Sequence, residues 1–176
     1  TKQGLGNEVP FFICPFPAEE GLTMIEDRLD LIERIGHAGV TALDLSLYEI
    51  SLGLLEERGI LEDVLAAEPD MEKSELRELL QGVLDVHEHL IPKIAEAIAA
   101  QPHDVIFLSG VGEVYPYIRS HNVLNNLQST AKDKPTVLFF PGSYTHSTAT
   151  GGSLNLFGLL HDDKYYRAFN ILNYEV

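Results

Sequence analysis

Residues 103–128 read HDVIFLSGVGEVYPYIRSHNVLNNLQ, and the interpretation of the whole chain starts from this stretch. Residues 105–109 are apolar, β-branched or aromatic and too few for a helix, which indicates a buried strand. Gly110 and Gly112 break that strand, and Pro116 stands where the first turn of a helix is expected. The stretch predicts a strand, a glycine turn and a helix. In open α/β sheets, ligands and partners meet the protein at such turns.

Patterns of strands and helices continue on both sides of this stretch. Apolar residues recur every three to four positions over residues 22–35, which predicts an amphipathic helix. The chain is therefore expected to form one α/β domain over residues 1–176, with a mostly parallel sheet of four to five strands and helices on both faces. The further strands are predicted at residues 10–14, 40–46 and 135–140, with an edge strand at residues 168–172.

A long helical insertion is predicted between the second and third strands, over residues 48–100. Helices are expected at residues 48–58 and 61–67, and a longer helical pattern begins at Ser74. Pro92 lies inside this pattern and removes a backbone hydrogen bond, so we expect a kink or a helix restart there. The insertion is longer than a single crossover requires.

The stretch SYTHSTATGGS, residues 143–153, consists mostly of small and polar residues. Clusters of Ser, Thr and Gly between apolar segments are typical of loops. This composition predicts an exposed, mobile loop.

The chain is acidic, and the charge is uneven. Its 176 residues carry a net charge of −15, with 21 acids and 7 bases in residues 1–100 but 6 acids and 5 bases in residues 101–176. A nucleic-acid-binding protein normally carries a basic face, so direct nucleic-acid binding is not expected. No apolar run approaches the roughly 20 residues of a membrane span. The single Cys14 forms no internal disulfide and suits the cytoplasm.

Motifs for nucleotide chemistry are absent from the sequence. It contains no G-x-x-x-x-G-K-[ST] phosphate loop, no third glycine completing a dinucleotide fingerprint after Gly112, and no G-x-S-x-G nucleophile turn. His87 and His89 are two positions apart, which places them on different faces of a helix. His161 with the two aspartates that follow it is best explained as a hydrated turn. We therefore expect no cofactor, no metal site and no catalytic residue.

Two interpretations remain open for the polar residues of the glycine turn. Glu113 and His121 are the best candidates for acid–base chemistry, although a structural hydrogen-bond network around the helix start is favoured. Arg119 is either an anion ligand at a helix start or the partner of Glu113 inside the fold, and the pairing is favoured.

Four stretches together resemble one known family. They are GLGNEVPFFICPFP at residues 4–17, DVIFLSGVGEVYPYIRSHNVLNNLQS at 104–129, VLFFPGSYT at 137–145 and LNLFGLLHDDKYYRAFNIL at 154–172. These stretches are similar to BrxB, a component of BREX bacteriophage-defence systems. Members usually carry further residues before GLGNEVPFF, so the beginning of this chain is expected to be missing.

The resemblance implies a cytoplasmic bacterial defence factor without an established enzymatic activity. It places the protein beside the BREX methyltransferase, ATPase and phosphatase-like protein PglZ, and PglZ is the expected partner. The family supplies no catalytic residue, so its motif residues are candidate interaction or scaffold positions. These are Gly110, Gly112, Glu113, Tyr115, Pro116, Tyr117, Arg119, Ser120, His121, Asn122 and Asn125.

The leading hypothesis is an assembly subunit of a phage-defence complex that binds PglZ and possibly other BREX subunits. The alternative is a nucleotide-responsive or hydrolytic enzyme that uses Glu113, Arg119 and His121. Tyr and Arg are enriched at interface hot spots, so the partner is expected to dock on a surface that includes either the turn at residues 110–121 or a second polar segment, residues 161–167. The partner-binding candidates are Glu113, Tyr115, Tyr117, Arg119, His121, Asn125, Tyr165, Tyr166 and Arg167.

Overall fold

A five-stranded parallel sheet forms the centre of the protein. The computed structural model describes residues 11–131, 133–147, 151–162 and 168–174. Its strands are β1 (Phe11–Phe16), β2 (Ala42–Ser46), β3 (Val105–Ser109), β4 (Thr136–Ser147), β5 (Gly151–Leu156), β6 (Leu160–Asp162) and β7 (Ala168–Asn170). The parallel strands stand in the order β2-β3-β4-β1-β7. The predicted mostly parallel sheet is confirmed, and β7 is its edge strand.

Most of the helical residues lie between β2 and β3, which confirms the predicted insertion. Pro92 occupies one of the first two positions of a helix, so the expected restart is confirmed, and a π-helical turn at Val86–Leu90 precedes it. No helix in the described ranges has both the length and the apolar character needed to cross a bilayer. The α-helices are α1 (Gly21–His37), α2 (Leu47–Glu57), α3 (Leu61–Ala67), α4 (Lys73–Val83), α5 (Ile91–Ala100) and α6 (Ser120–Thr130).

The two faces of the sheet are covered very differently. Helices α2 to α6 pack on one face, the insertion face, where the large core includes the fully buried Ile13, Leu108 and Leu138. The opposite face, the α1 face, has a small core in which the rings of Phe107 and Phe139 meet edge to face at 5.3 Å. Helices therefore lie on both faces, as predicted, but a single described α-helix packs on the second.

The start of α6 corrects the sequence-based prediction. The helix begins at Ser120 and not at Pro116, and residues 111–119 form a series of turns. Val111, Val114 and Ile118 are all buried there. The burial of these three apolar side chains stabilises the turns more than a helix start at Pro116 would, because helix propensity is only a weak local preference.

The prediction of an exposed, mobile loop at residues 143–153 is wrong for the residues described. β4 does not end at residue 140 but continues to Ser147, and residues 142–147 pair antiparallel with β5. Tyr144, Leu154 and Leu156 are buried against the insertion-face core. The apolar anchors alternate with polar residues on the outer side, which is the pattern of a half-buried strand.

The Tyr144 hydroxyl ties this hairpin to the parallel sheet, because it donates a 2.8 Å hydrogen bond to the carbonyl of Ala168 in β7. We expect Tyr144→Phe to lower the free energy of unfolding by about 1–2 kcal/mol, since the buried carbonyl loses its donor. Chemical denaturation at neutral pH measures this. Unchanged stability would contradict the role given to the bond.

The pH dependence of the same variant provides a second measurement. Burial raises the pKa of Tyr144 above its ordinary value of about 10. The unfolded chain therefore loses this proton at lower pH than the folded protein. The contribution of Tyr144 to stability is complete below pH about 10 and decreases as the pH rises further. Tyr144→Phe should lack this decrease.

Candidate functional site

The glycine turn after β3 packs against the first residues of α2. Gly110 has a φ of +82°, and a Cβ atom there would lie 2.9 Å from the amide nitrogen of Tyr48. Only glycine fits such a position, because a side chain would meet backbone and favour another φ. Glu113 Oε2 lies 3.1 Å from the same point, so its carboxylate is beside the N-terminus of α2. A carboxylate in that place stabilises the helix through its dipole.

The turn is hydrogen-bonded to α4 and packs on the insertion-face core. Only some of its polar side chains are exposed to solvent. Gln81 of α4 donates a 3.3 Å hydrogen bond to the carbonyl of Pro116. Tyr115 and Tyr117 are half-buried and pack against the insertion-face core. The tyrosine rings therefore anchor the turn, and only part of each ring is accessible.

The structure separates the predicted site residues into groups. Glu113, Arg119 and Asn125 are exposed, whereas His121 is only 5% exposed and already has an interaction partner. Glu113 and Arg119 form no ion pair in the described structure, so their expected pairing inside the fold is wrong. Tyr165, Tyr166 and Arg167 lie outside the described residues.

A second structural element meets the turn at Gly112. Residues 157–159 form the hairpin tip between β5 and β6, and the ring of Phe157 comes within 3.0 Å of the position a Cβ on Gly112 would take. The amide nitrogen of Phe157 donates a 2.9 Å hydrogen bond to the carbonyl of Pro141, which holds the tip in place. The hairpin tip and the glycine turn therefore form one continuous surface.

The hairpin tip is apolar and strained. Phe157 is 39% exposed with a φ of +56°, and Leu159 is 81% exposed. A bulky residue in the left-handed region costs on the order of 1–3 kcal/mol and persists where the surroundings impose it. Such strain clusters at functional sites. We call Tyr48, Gly112, Glu113, Phe157 and Leu159 the tip–turn surface.

A groove of about 470 Å³ lies beside the hairpin tip. It is at the carboxyl end of β1 and beside the point where β4 leaves its parallel pairing with β1. The chain leaves β1 through α1 on one face and leaves β4 into the hairpin on the other, so this is a topological switch point, where α/β proteins bind ligands. The groove is lined mainly by apolar and small residues: Pro15, Phe16, Pro17, Ala18, Glu19, Gly142, Ser143, Tyr144, Phe157, Gly158 and Asn170.

The polar side chains of this region offer few groups for chemistry among the described residues. The described residues contain no group of three or more His, Cys, Asp or Glu side chains placed to hold a metal ion. Burial raises the pKa of the Cys14 thiol, which lies half-buried on the α1 face and so packs as a small hydrophobic side chain. The hydroxyl of Tyr144, which lines the groove, donates its hydrogen bond to the carbonyl of Ala168.

Sequence reasoning did not identify the hairpin tip. The signal was present in the run LFGLL at residues 156–160, because a glycine among four apolar residues is unusual in an exposed turn. Without the pairing of β5 with β6, the sequence alone does not show that this run forms an exposed turn.

The fold and the site define an α/β sheet protein with exposed apolar side chains at the carboxyl edge of its parallel sheet. The sequence model of the family described as BREX protein BrxB matches residues 43–171. A BREX protein BrxB of Bacillus cereus (strain H3081.97) is 35% identical to the chain, over 98% of the chain and 88% of the relative. One of Escherichia coli O9:H4 (strain HS) is 28% identical, over 97% and 82%.

The chain belongs to the BrxB family of BREX phage-defence systems. BrxB is a component of the BREX system and works with its other subunits. No solved structure matches the chain.

Proposed function

We propose that this protein is a non-enzymatic assembly subunit of a BREX complex and that PglZ docks on its tip–turn surface. The main support for this proposal is the exposed apolar hairpin tip, with Phe157 and Leu159, which packs beside the glycine turn. The family resemblance supports PglZ as the partner, and the exposed apolar side chains of the hairpin tip support this docking place.

The exposed apolar side chains of this surface contribute little to the stability of the free protein. Leu159 is 81% exposed, so its apolar surface stabilises nothing in the free fold. Burying it against a partner contributes roughly 25 cal/mol per Å² of apolar area removed from water. Aromatic residues are enriched at protein interfaces, and Phe157 and Tyr48 are partly exposed aromatic residues of the tip–turn surface.

The experiment compares three variants in binding to purified PglZ. Leu159→Ser and Arg119→Ala remove exposed side chains near the proposed contact, and Leu65→Ser is the matched control, since Leu65 is 52% exposed on α3. We expect Leu159→Ser to weaken binding by about 2 kcal/mol, roughly thirtyfold. Arg119→Ala should have a smaller effect, because Arg119 is exposed and charges at the rim of an interface contribute little to affinity. Biolayer interferometry measures the affinities after thermal melting has confirmed folding.

Two results would contradict the proposal. If Leu159→Ser and Arg119→Ala both fold and bind PglZ as the parent does, the interface lies elsewhere. If the purified protein hydrolyses nucleoside triphosphates above background, and Glu113→Ala removes that turnover, the assembly role is replaced by the enzymatic alternative. His121 is buried, and no ion pair joins Glu113 to Arg119 among the described residues, so these three residues are not arranged as one acid–base group.

A further inference from the structure

The α1 face of the sheet is incompletely covered by the described chain. Five strands about 4.8 Å apart span about 19 Å, whereas a helix is about 10 Å across. Parallel sheets are normally buried on both faces. Here α1 is the one described α-helix that packs on this face, and none of its residues is fully buried.

Helix α1 carries an apolar stripe that faces solvent. Leu22 is 83% exposed, Ile25 41% and Leu29 53%. They stand at positions i, i+3 and i+7, which places them on one side of the helix. Met24, Ile32 and Ile35 already supply the contact with the sheet, and the stripe adjoins them on the solvent side. The apolar surface of α1 is therefore wider than the part that the sheet covers.

Uncompensated negative charge borders the stripe. Glu26 and Glu33 each lie four residues after a leucine of the stripe, and so beside it. Both arginines of the helix are engaged, Arg28 with Asp44 and Arg34 with Asp30. Glu26 and Glu33 form no ion pair within the described ranges.

We infer that the stripe of Leu22, Ile25 and Leu29 is a docking surface for a basic amphipathic helix of a protein partner. Aliphatic residues of that helix would cover the stripe, and its flanking Lys or Arg residues would meet Glu26 and Glu33. A second copy of the chain fits poorly, because the same acids would face each other. Residues 1–10 of the chain fit poorly as well, since Leu5 and Val9 are their only aliphatic residues besides Pro10.

The test uses the full chain in cells that express the complete BREX system. Ile25 is replaced by the photo-crosslinking amino acid p-benzoylphenylalanine, and the same replacement at Leu65, exposed on α3, is the control position. Mass spectrometry then identifies the cross-linked peptide. We expect a peptide of another protein with aliphatic residues at helical spacing and flanking Lys or Arg.

A charge reversal tests the rim of the stripe. The double variant Glu26→Lys with Glu33→Lys should lower the cross-link yield at position 25 by about tenfold, because the basic flank is then repelled. Glu62→Lys with Asp63→Lys makes the same change of net charge on α3 and should leave the yield unchanged. Thermal melting of both double variants confirms folding.

Several results would overturn the inference. One is a cross-link to a second copy or to residues 1–10 of the same chain. Another is a cross-linked peptide that is acidic or lacks apolar residues at helical spacing. A third is a cross-link yield at position 25 no higher than that at position 65. Equal yields in the two charge variants would do the same. This surface lies on the opposite side of the sheet from the insertion-face core, so its failure leaves the tip–turn proposal intact.

Discussion

Replacement of Phe140 by alanine is expected to lower the free energy of unfolding by about 3–5 kcal/mol. Phe140 is fully buried in β4, at the point where the strand leaves the parallel sheet for the hairpin. Its removal deletes a large apolar side chain and leaves a cavity that the neighbouring strands cannot close. Since domains are stable by only about 5–15 kcal/mol, this variant should lose much of its stability. Urea denaturation measures the change.

The same substitution at Phe157 is the matched control. Phe157 is partly exposed and strained, so Phe157→Ala should change the stability by less than about 1.5 kcal/mol, since lost packing is limited there. It should nevertheless weaken PglZ binding, because the ring belongs to the tip–turn surface. If the Phe140→Ala protein were as stable as the parent, the tight packing of Phe140 in the core would be contradicted.

Replacement of Gly142 by alanine is expected to destabilise the protein by about 3 kcal/mol or more, because a backbone clash has no inexpensive relief. A Cβ at this position would lie 2.1 Å from the carbonyl oxygen of Asn155, and φ is +153°. Gly142 pairs with Leu156 in the hairpin, so β4 and β5 must separate there. The hairpin tip would then move away from Gly112. We therefore expect lower stability in urea denaturation together with weaker PglZ binding.

Gly53→Ala is the control for this variant. Gly53 lies inside α2 with no atom within 4 Å of an added Cβ. Alanine is preferred to glycine in helices, so this variant should gain about 0.5–1 kcal/mol. If Gly142→Ala kept the stability and binding of the parent, the close approach of β4 and β5 would not hold in solution.

The strands and helices could largely be predicted from local patterns. Val105–Ser109 has the predicted bounds, and so does the short helix Leu61–Ala67. The restart at Pro92 was also predicted correctly. These features depend on apolar periodicity and on residues that break regular structure, both of which act over a few positions.

The surface proposed for binding was predictable only in part. The glycine turn was chosen as a candidate because strand ends in α/β proteins attract function, but Glu113 and Arg119 are exposed there and not paired inside the fold as was favoured. The burial of His121 and the contact of Phe157 with Gly112 were not predictable. These depend on residues far apart in the chain, and no local pattern encodes which of them meet.

The sequence by itself determined the class of fold, the helical insertion, the acidic character and the family, because these follow from composition, short-range periodicity and characteristic motifs. The tertiary structure alone decided the strand order, the extension of β4 past Pro141 and the exposure of Leu22 and Leu159. Strand pairing is a long-range choice, and it selects which apolar side chains reach the core and which remain in water. The two proposed binding surfaces consist of apolar side chains that this choice left uncovered.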